Sequence, residues 1–297
     1  MDSEQQKTLL ILAAGLGSRY GGNKQTDGLG PGGLPLFSYS IYDAVQAGFT
    51  RVVFVIREQD RPAVEGFLAK LRCLPTAEFA VQDLHTALPE GITLPAGREK
   101  PLGTAHAILC AAPLLRGPFA VVNADDFYGR SVYAALADAL DRGENALAAY
   151  PLSATLSPIG TVTRGVCRVE EGRLSAIRET YGIAADCAGR IRDKAGRFLG
   201  RNAPVSMNSW GFQVEMLPLL RQAFDAFLAS FDGSEKDLTR ECALPTAVDG
   251  MLRSGKLRVR VDTAGEHWFG VTYREDKPAV REALAALHRE GTYPEAL

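Results

Sequence analysis

The sequence has no CxxC pair, and its five cysteines (Cys73, Cys110, Cys167, Cys187 and Cys242) are odd in number and widely scattered. That spacing supplies neither a zinc site nor a disulfide framework, and it suits reduced thiols, most of them small buried hydrophobes. The four histidines are equally dispersed along the chain. Neither charge sign is in excess: 33 Lys and Arg stand against 35 Asp and Glu, a net charge of -2. Nucleic acid is therefore not an expected partner, because no global basic footprint exists. No apolar run approaches the ~18 residues of a membrane span. The start, MDSEQQK, lacks the basic and apolar regions of a secretory signal. These absences lead us to expect a soluble, cytoplasmic protein, with 46% hydrophobic and 23% charged residues as in ordinary globular chains.

What the chain does have is alternation. Apolar runs at Leu9–Ala13, Arg51–Ile56, Glu78–Gln82 and Phe119–Asn123 read as strands. Between them Phe37–Ala47, Asp60–Leu71, Thr104–Ala112 and Ser131–Leu140 have helical spacing, and Pro89 to Pro101 reads as loop. Buried strands alternating with helices imply a mostly parallel sheet covered on both faces. After Tyr150 the expected strands are Thr161–Val169, Arg173–Ile177, Val205–Val214 and Lys256–Val261. Helices are expected at Pro218–Leu228, Leu238–Leu252 and Glu275–His288, and Glu179 to Pro204 reads as a polar span. No repeat, low-complexity tract or linker is evident. The expectation is one domain over 1–297, with a nucleotide-binding half (1–150) and an elaboration of the same sheet (151–297).

The first strand runs into LAAGLGSRYGGNKQ, Leu12 to Gln25. Glycines in such a loop allow close backbone approach and positive φ, and so make an anion-binding nest. The dinucleotide fingerprint does not fit, because Gly15-Leu-Gly17 is followed by Ser18, Arg19, Tyr20 and Gly21, and Pro31 and Pro35 delay the helix. The NTPase phosphate loop does not fit either: Asn23 precedes Lys24, and Gln25 offers no hydroxyl. A long phosphate loop with two cations remains. Arg19 can grip phosphate through a planar fork and Lys24 as a mobile point charge.

This loop resembles the signature of the nucleotidyltransferases that make nucleotide-sugars: an apolar strand, A-A-G-x-G-[ST]-R, then a Lys. The resemblance implies a Rossmann-like three-layer α/β/α fold with a mostly parallel, mixed central sheet. It also implies that Ala13, Ala14, Gly15, Gly17 and Ser18 wrap a triphosphate neutralised by Arg19 and Lys24. A second match, Lys100-Pro-Leu-Gly-Thr-Ala-His106, implies that Gly103 and Thr104 line the nucleoside. Physically, Gly103 permits close approach and Thr104 can cap the next helix. His106 reads as a packing residue. The third match is Val121-Val-Asn-Ala-Asp-Asp126, where a strand ends in carboxylates at the edge that binds ligands in open α/β sheets. Asp125 aligns with the family's magnesium ligand, and Asp126 is the fallback or a cap of the following helix.

Toward the C-terminus Trp268-Phe-Gly-Val-Thr-Tyr-Arg-Glu-Asp276 places Thr272 where the family has its second metal acid. On the acceptor side the resemblance implies Arg178 and Glu179, in a stretch lacking the family's Lys, and Asn208. Trp210 reads as core or as a ring-stacking residue. The reaction implied is attack of a phosphate monoester on the α-phosphorus of an NTP with Mg²⁺, releasing pyrophosphate. The nucleophile is already anionic, which agrees with the absence of a Ser/His/Asp or Cys/His constellation. The expected partners are an NTP and a phosphorylated small molecule, most simply a sugar-1-phosphate. Phosphocholine or another alcohol phosphate is the alternative acceptor. A non-catalytic nucleotide-binding subunit is the alternative of a different class, and a dinucleotide oxidoreductase is a distant fourth.

Overall fold

A computed structural model of the chain describes residues 6–15, 27–72, 74–264, 268–271 and 274–297. Four parallel strands lie side by side in the order β4 (Phe119–Asn123), β1 (Thr8–Leu12), β2 (Arg51–Ile56) and β3 (Thr76–Val81). β11 (Pro204–Phe212) pairs antiparallel with β4 and β6 (Asn145–Pro151), and β12 (Val259–Thr263) runs parallel to β6. β7 (Val162–Glu170) and β8 (Arg173–Ala185) form a long hairpin, with β8 meeting β12 and β7 reaching back to β11. β9 (Ile191–Arg192) and β10 (Phe198–Leu199) close that edge of the 11-stranded sheet. β5 (Asp126–Phe127) and β13 (Phe269–Gly270) form a separate antiparallel pair.

Alternation within each strand sends side chains to two cores. Leu9 and Ile11, Phe54 and Ile56, and Ala120 and Val122 join one core with α1 (Leu36–Gln46), α2 (Arg61–Leu68), α4 (Arg130–Asp141) and α7 (Lys277–Arg289). Leu10 and Leu12, Val53 and Val55, and Phe119 and Val121 join the other with α3 (Thr104–Ala111), α5 (Met216–Ala229) and α6 (Leu244–Arg253). The result is the expected three-layer, mixed-sheet α/β/α architecture.

Three local departures have physical causes. β6 did not stand out as a strand because NALAAYP is built on alanine, a weak strand former, yet Ala146 and Leu147 are fully buried between β11 and β12. α6 begins at Leu244 rather than Leu238, since Pro245 suits only a helix's first turn, and a short 3-10 turn, Glu235–Leu238, precedes it. Glu179–Pro204 is not structureless, and it contains a repeat. Asp186-Cys-Ala-Gly-Arg190 and Asp193-Lys-Ala-Gly-Arg197 make two successive hairpin turns of one design. In each, Asp Oδ1 accepts from the backbone two and four residues on (2.9–3.0 Å), Oδ2 pairs with the Arg Nε (2.8 and 2.7 Å), and the Gly has positive φ. The expectation of no repeats is thus corrected. A five-residue motif occurring twice is too short to stand out in composition.

Among the described residues no helix is long and apolar enough to cross a membrane. Of the cysteines, Cys110, Cys167 and Cys242 are buried, Cys187 is exposed and all four are free; Cys73 lies outside the described residues.

Candidate active site

In parallel strands joined by helices, the carboxyl ends share one edge. β1 and β4 reach that edge in register, Leu12 beside Asn123. Ala13 and Ala14 then run on buried, with the Ala13 N–H donating to the Val55 carbonyl (2.8 Å), and Gly15 emerges exposed. On the neighbouring strand the Ala124 N–H donates to the Leu12 carbonyl (3.0 Å), and Asp125 turns out at the edge, half-buried. The chain therefore enters the Gly-rich segment beside Asp125. Gly17, Ser18, Arg19 and Lys24 lie outside the described residues, as does Thr272.

Asp126 does not cap α4, whose N-cap is Gly129 with no side-chain bond. It lies buried in β5 and anchors a polar chain that sequence reading missed. Asn123 Nδ2 donates to Asp126 Oδ2 (2.8 Å), Asn208 Nδ2 donates to Asn123 Oδ1 (3.3 Å), and Trp210 Nε1 donates to Asn208 Oδ1 (3.4 Å). Tyr128 Oη accepts from the Asn123 N–H (2.9 Å) and donates to the Met207 carbonyl (2.8 Å). Full burial drives the Tyr128 phenol far above its ordinary range, so it stays a neutral donor. Asn208 has φ 62° where the β11–β6 register shifts between Ser206 and Trp210. A bulge aims a side chain that a regular strand would not, and a non-glycine residue there is strained. The one available sequence signal for Asn123 was an amide ending a strand just before two acids.

In the second matching segment the expected side-chain cap on α3 does not form. Gly103 has φ 101°, and an added Cβ would lie 2.6 Å from the Cys242 carbonyl, so glycine is required there by the protein's own backbone. Thr104 does not cap its own helix: its Oγ1 accepts from the Leu244 N–H (2.8 Å) and so caps α6. Gln82, at the end of β3, donates from Nε2 to the Gly103 carbonyl (3.1 Å) and to His106 Nδ1 (3.2 Å). His106 Nε2 then donates to the Thr86 carbonyl (2.7 Å). That ring is fully buried against Phe224, and burial lowers its pKa, so it is a neutral packing residue.

Arg178 and Glu179 are consecutive in β8, opposite Val166 and Gly165 respectively, so they point to opposite sheet faces. Arg178 is exposed, whereas Glu179 is half-buried. Burial raises the Glu179 pKa, partly offset by the Arg164 charge. The strand does not present the two to one point. Trp210 is fully buried and stacks on Phe212 at 5.6 Å, which makes it core. Trp268 carries the Arg164 guanidinium 5.1 Å over its ring. Gly270, paired with Asp126, has no room for a side chain, because a Cβ would run into the Asp126 carboxylate and the Trp268 indole. A groove of about 460 Å³ between α5 and α6, lined by Phe227, Ala247 and Met251 among others, contains none of the candidate residues.

Known proteins resemble the chain in part of its sequence and in its fold. The chain is 34% identical over 119 residues to the "Bifunctional protein GlmU" of Anaeromyxobacter dehalogenans and 31% identical over 120 residues to that of Corynebacterium diphtheriae. Each match covers 39% of this chain and 21% of the relative, so the chain matches about a fifth of those proteins' length. The inositol-1-phosphate CTP transferase of T. maritima shares the fold, with a TM-score of 0.64 at 17% identity over 95% of this chain and 96% of that one. Residues 9–175 match the family described as the MobA-like NTP transferase domain. The chain belongs to the MobA-like NTP transferase family.

Proposed function

We propose that this chain is a nucleotidyltransferase that joins an NTP to a sugar-1-phosphate and releases pyrophosphate. The observation that carries the reading is the exit of β1 into the Gly-rich segment directly beside Asp125. Strands from both halves of the chain share one sheet, which supports reading residues 1–297 as a single nucleotidyltransferase domain. We place it in the cytoplasm, where NTPs are found and free cysteines persist.

An acceptor phosphate attacks the α-phosphorus, and the bond to the β-phosphate oxygen breaks. Catalysis rests on orientation and charge neutralisation. Arg19 and Lys24 neutralise the departing pyrophosphate, while the backbone from Ala13 to Ser18 holds the triphosphate. Asp125 offers the hard carboxylate oxygen that Mg²⁺ takes together with substrate phosphates and waters, and it would hold that ion. Such an ion supplies charge stabilisation on the α-phosphate. Asn208, aimed by its bulge, and Glu179 contact the acceptor, and Arg178 remains a candidate at the rim. The burial of Trp210 and the Arg164 cover on Trp268 favour a sugar phosphate over phosphocholine, because neither arrangement leaves an aromatic cage for a quaternary ammonium.

Pyrophosphate release with Mg²⁺, over a grid of four NTPs against hexose-1-phosphates, inositol-1-phosphate and phosphocholine, tests the reading. One dominant pair is expected, and Asp125→Asn should lower its rate at least ~100-fold. NTP binding without turnover on any pair would favour a regulatory subunit instead.

A further inference from the structure

We infer that Asn123 is a positioning residue for the acceptor: it holds the Asn208 amide in one orientation, ready to meet a hydroxyl of a polyol phosphate. This inference rests on the proposed function, which sets Asn208 against the acceptor.

The orientation follows from the two ends of the polar chain. The Trp210 indole can only donate, and its Nε1 lies 3.4 Å from Asn208 Oδ1. At the other end the Asp126 carboxylate accepts from Asn123 Nδ2 at 2.8 Å. Between them Asn208 Nδ2 donates to Asn123 Oδ1 at 3.3 Å. All three bonds run one way, from indole to carboxylate, and bonds in series polarise one another. Turning either amide over would set donor against donor or acceptor against acceptor.

Strand pairing brings the two amides together at the ligand edge. Trp210 lies opposite Val121, so the antiparallel register carries Asn208 toward Asn123, the last residue of β4. Other groups hold the backbone there. The Asn208 N–H donates to Ser206 Oγ (3.2 Å), Ser209 Oγ donates to the Ala148 carbonyl (2.7 Å), and the Asn123 N–H donates to Tyr128 Oη (2.9 Å). The Asn123 side chain therefore adds orientation rather than shape. Among the described residues, one N–H and one lone pair of the Asn208 amide lie outside the chain of bonds. A hydroxyl, which both accepts and donates, matches that pair. Asn123, Asn208 and Asp125 are all half-buried, so the amide opens on the edge that carries Asp125.

The test is steady-state kinetics of the full chain on its preferred NTP and acceptor, below the melting temperature of every variant. Asn123→Ala should raise the acceptor KM about tenfold and leave the NTP KM unchanged. Because Asn123 acts through Asn208, adding Asn123→Ala to Asn208→Gly should keep the rise at about tenfold rather than about a hundredfold. An acceptor KM that rises in Asn208→Gly but not in Asn123→Ala would overturn the inference alone, as would additive effects or an equal rise in both KM values. If Asn123→Ala does not fold, Trp210→Phe removes the donor at the other end and should raise the same KM; no rise would overturn the inference. A wild-type acceptor KM in Asn208→Gly would overturn both the inference and the acceptor role of Asn208. A wild-type chain that turns over no pair would overturn the transferase reading and the inference with it.

Discussion

Asp43 is 1% exposed, yet it accepts from Tyr293 Oη (2.6 Å) and faces Arg130 Nε at 3.4 Å. Burial outweighs these partners and pushes its carboxyl up to about 6 from an ordinary 3.8. The folded state therefore binds its proton more tightly than the unfolded state does. The resulting stabilisation is full below the ordinary value and is lost as pH rises through about 6. A shift of this size corresponds to roughly 2–3 kcal/mol. Asp43→Asn keeps an acceptor for Tyr293 and removes the titration, so its unfolding midpoint should change less than wild type between about pH 4 and pH 7. An identical slope in chemical denaturation would assign the pH dependence elsewhere. At Asn208, glycine tolerates the φ of 62° but lacks the amide. Asn208→Gly should melt below wild type, because Trp210 Nε1 and Asn123 Oδ1 lose that partner, and raise the acceptor KM about tenfold, the scale of one lost hydrogen bond; an unchanged KM would remove Asn208 from the acceptor site. The sequence pointed to Asn208 and Asp125 through short motifs. It hid Asn123 and Tyr128, whose bonds to Asn208 and Met207 depend on strands far apart in the chain.

Helix α3 and helix α6 begin against one another. The Cys242 N–H donates to the Leu102 carbonyl (2.8 Å), the Ala105 N–H donates to the Cys242 carbonyl (3.0 Å), and Thr104 caps α6. Gly103 lies at the centre of this interlock with a φ only glycine tolerates well. Gly103→Ala should therefore cost roughly 2–4 kcal/mol, through strain and collision together. A melt within a degree or two of wild type would show that the two helix starts can part without penalty. The same interlock explains which elements were readable. Strands β2 and β4 match their apolar runs residue for residue, since periodicity and branched side chains mark them. The start of α6 is set by Pro245 and by a hydroxyl from elsewhere in the fold, and strand β6 by neighbours on both sides rather than by its alanines.

Across the whole molecule, stability should fall from the sheet's centre to its β10 edge. β1 is wholly buried between β4 and β2, whereas Phe198 in β10 is 62% exposed. Hydrogen exchange should be slowest for amides in β1 and β4 and fastest, among strands, in β9 and β10. Uniform protection across all strands would mean that the chain opens only as one unit. The edge arm has a further consequence. Each D-x-A-G-R turn is tied by its own Asp and Arg, and the stretches Asp186–Arg192 and Asp193–Leu199 are successive units of one length. Each turn also reverses the chain's heading. Losing or gaining a single unit would leave the backbone running away from β11, while two together would return it on the same course. The arm can therefore grow or shrink between related chains only in even steps, a parity rule imposed by its topology.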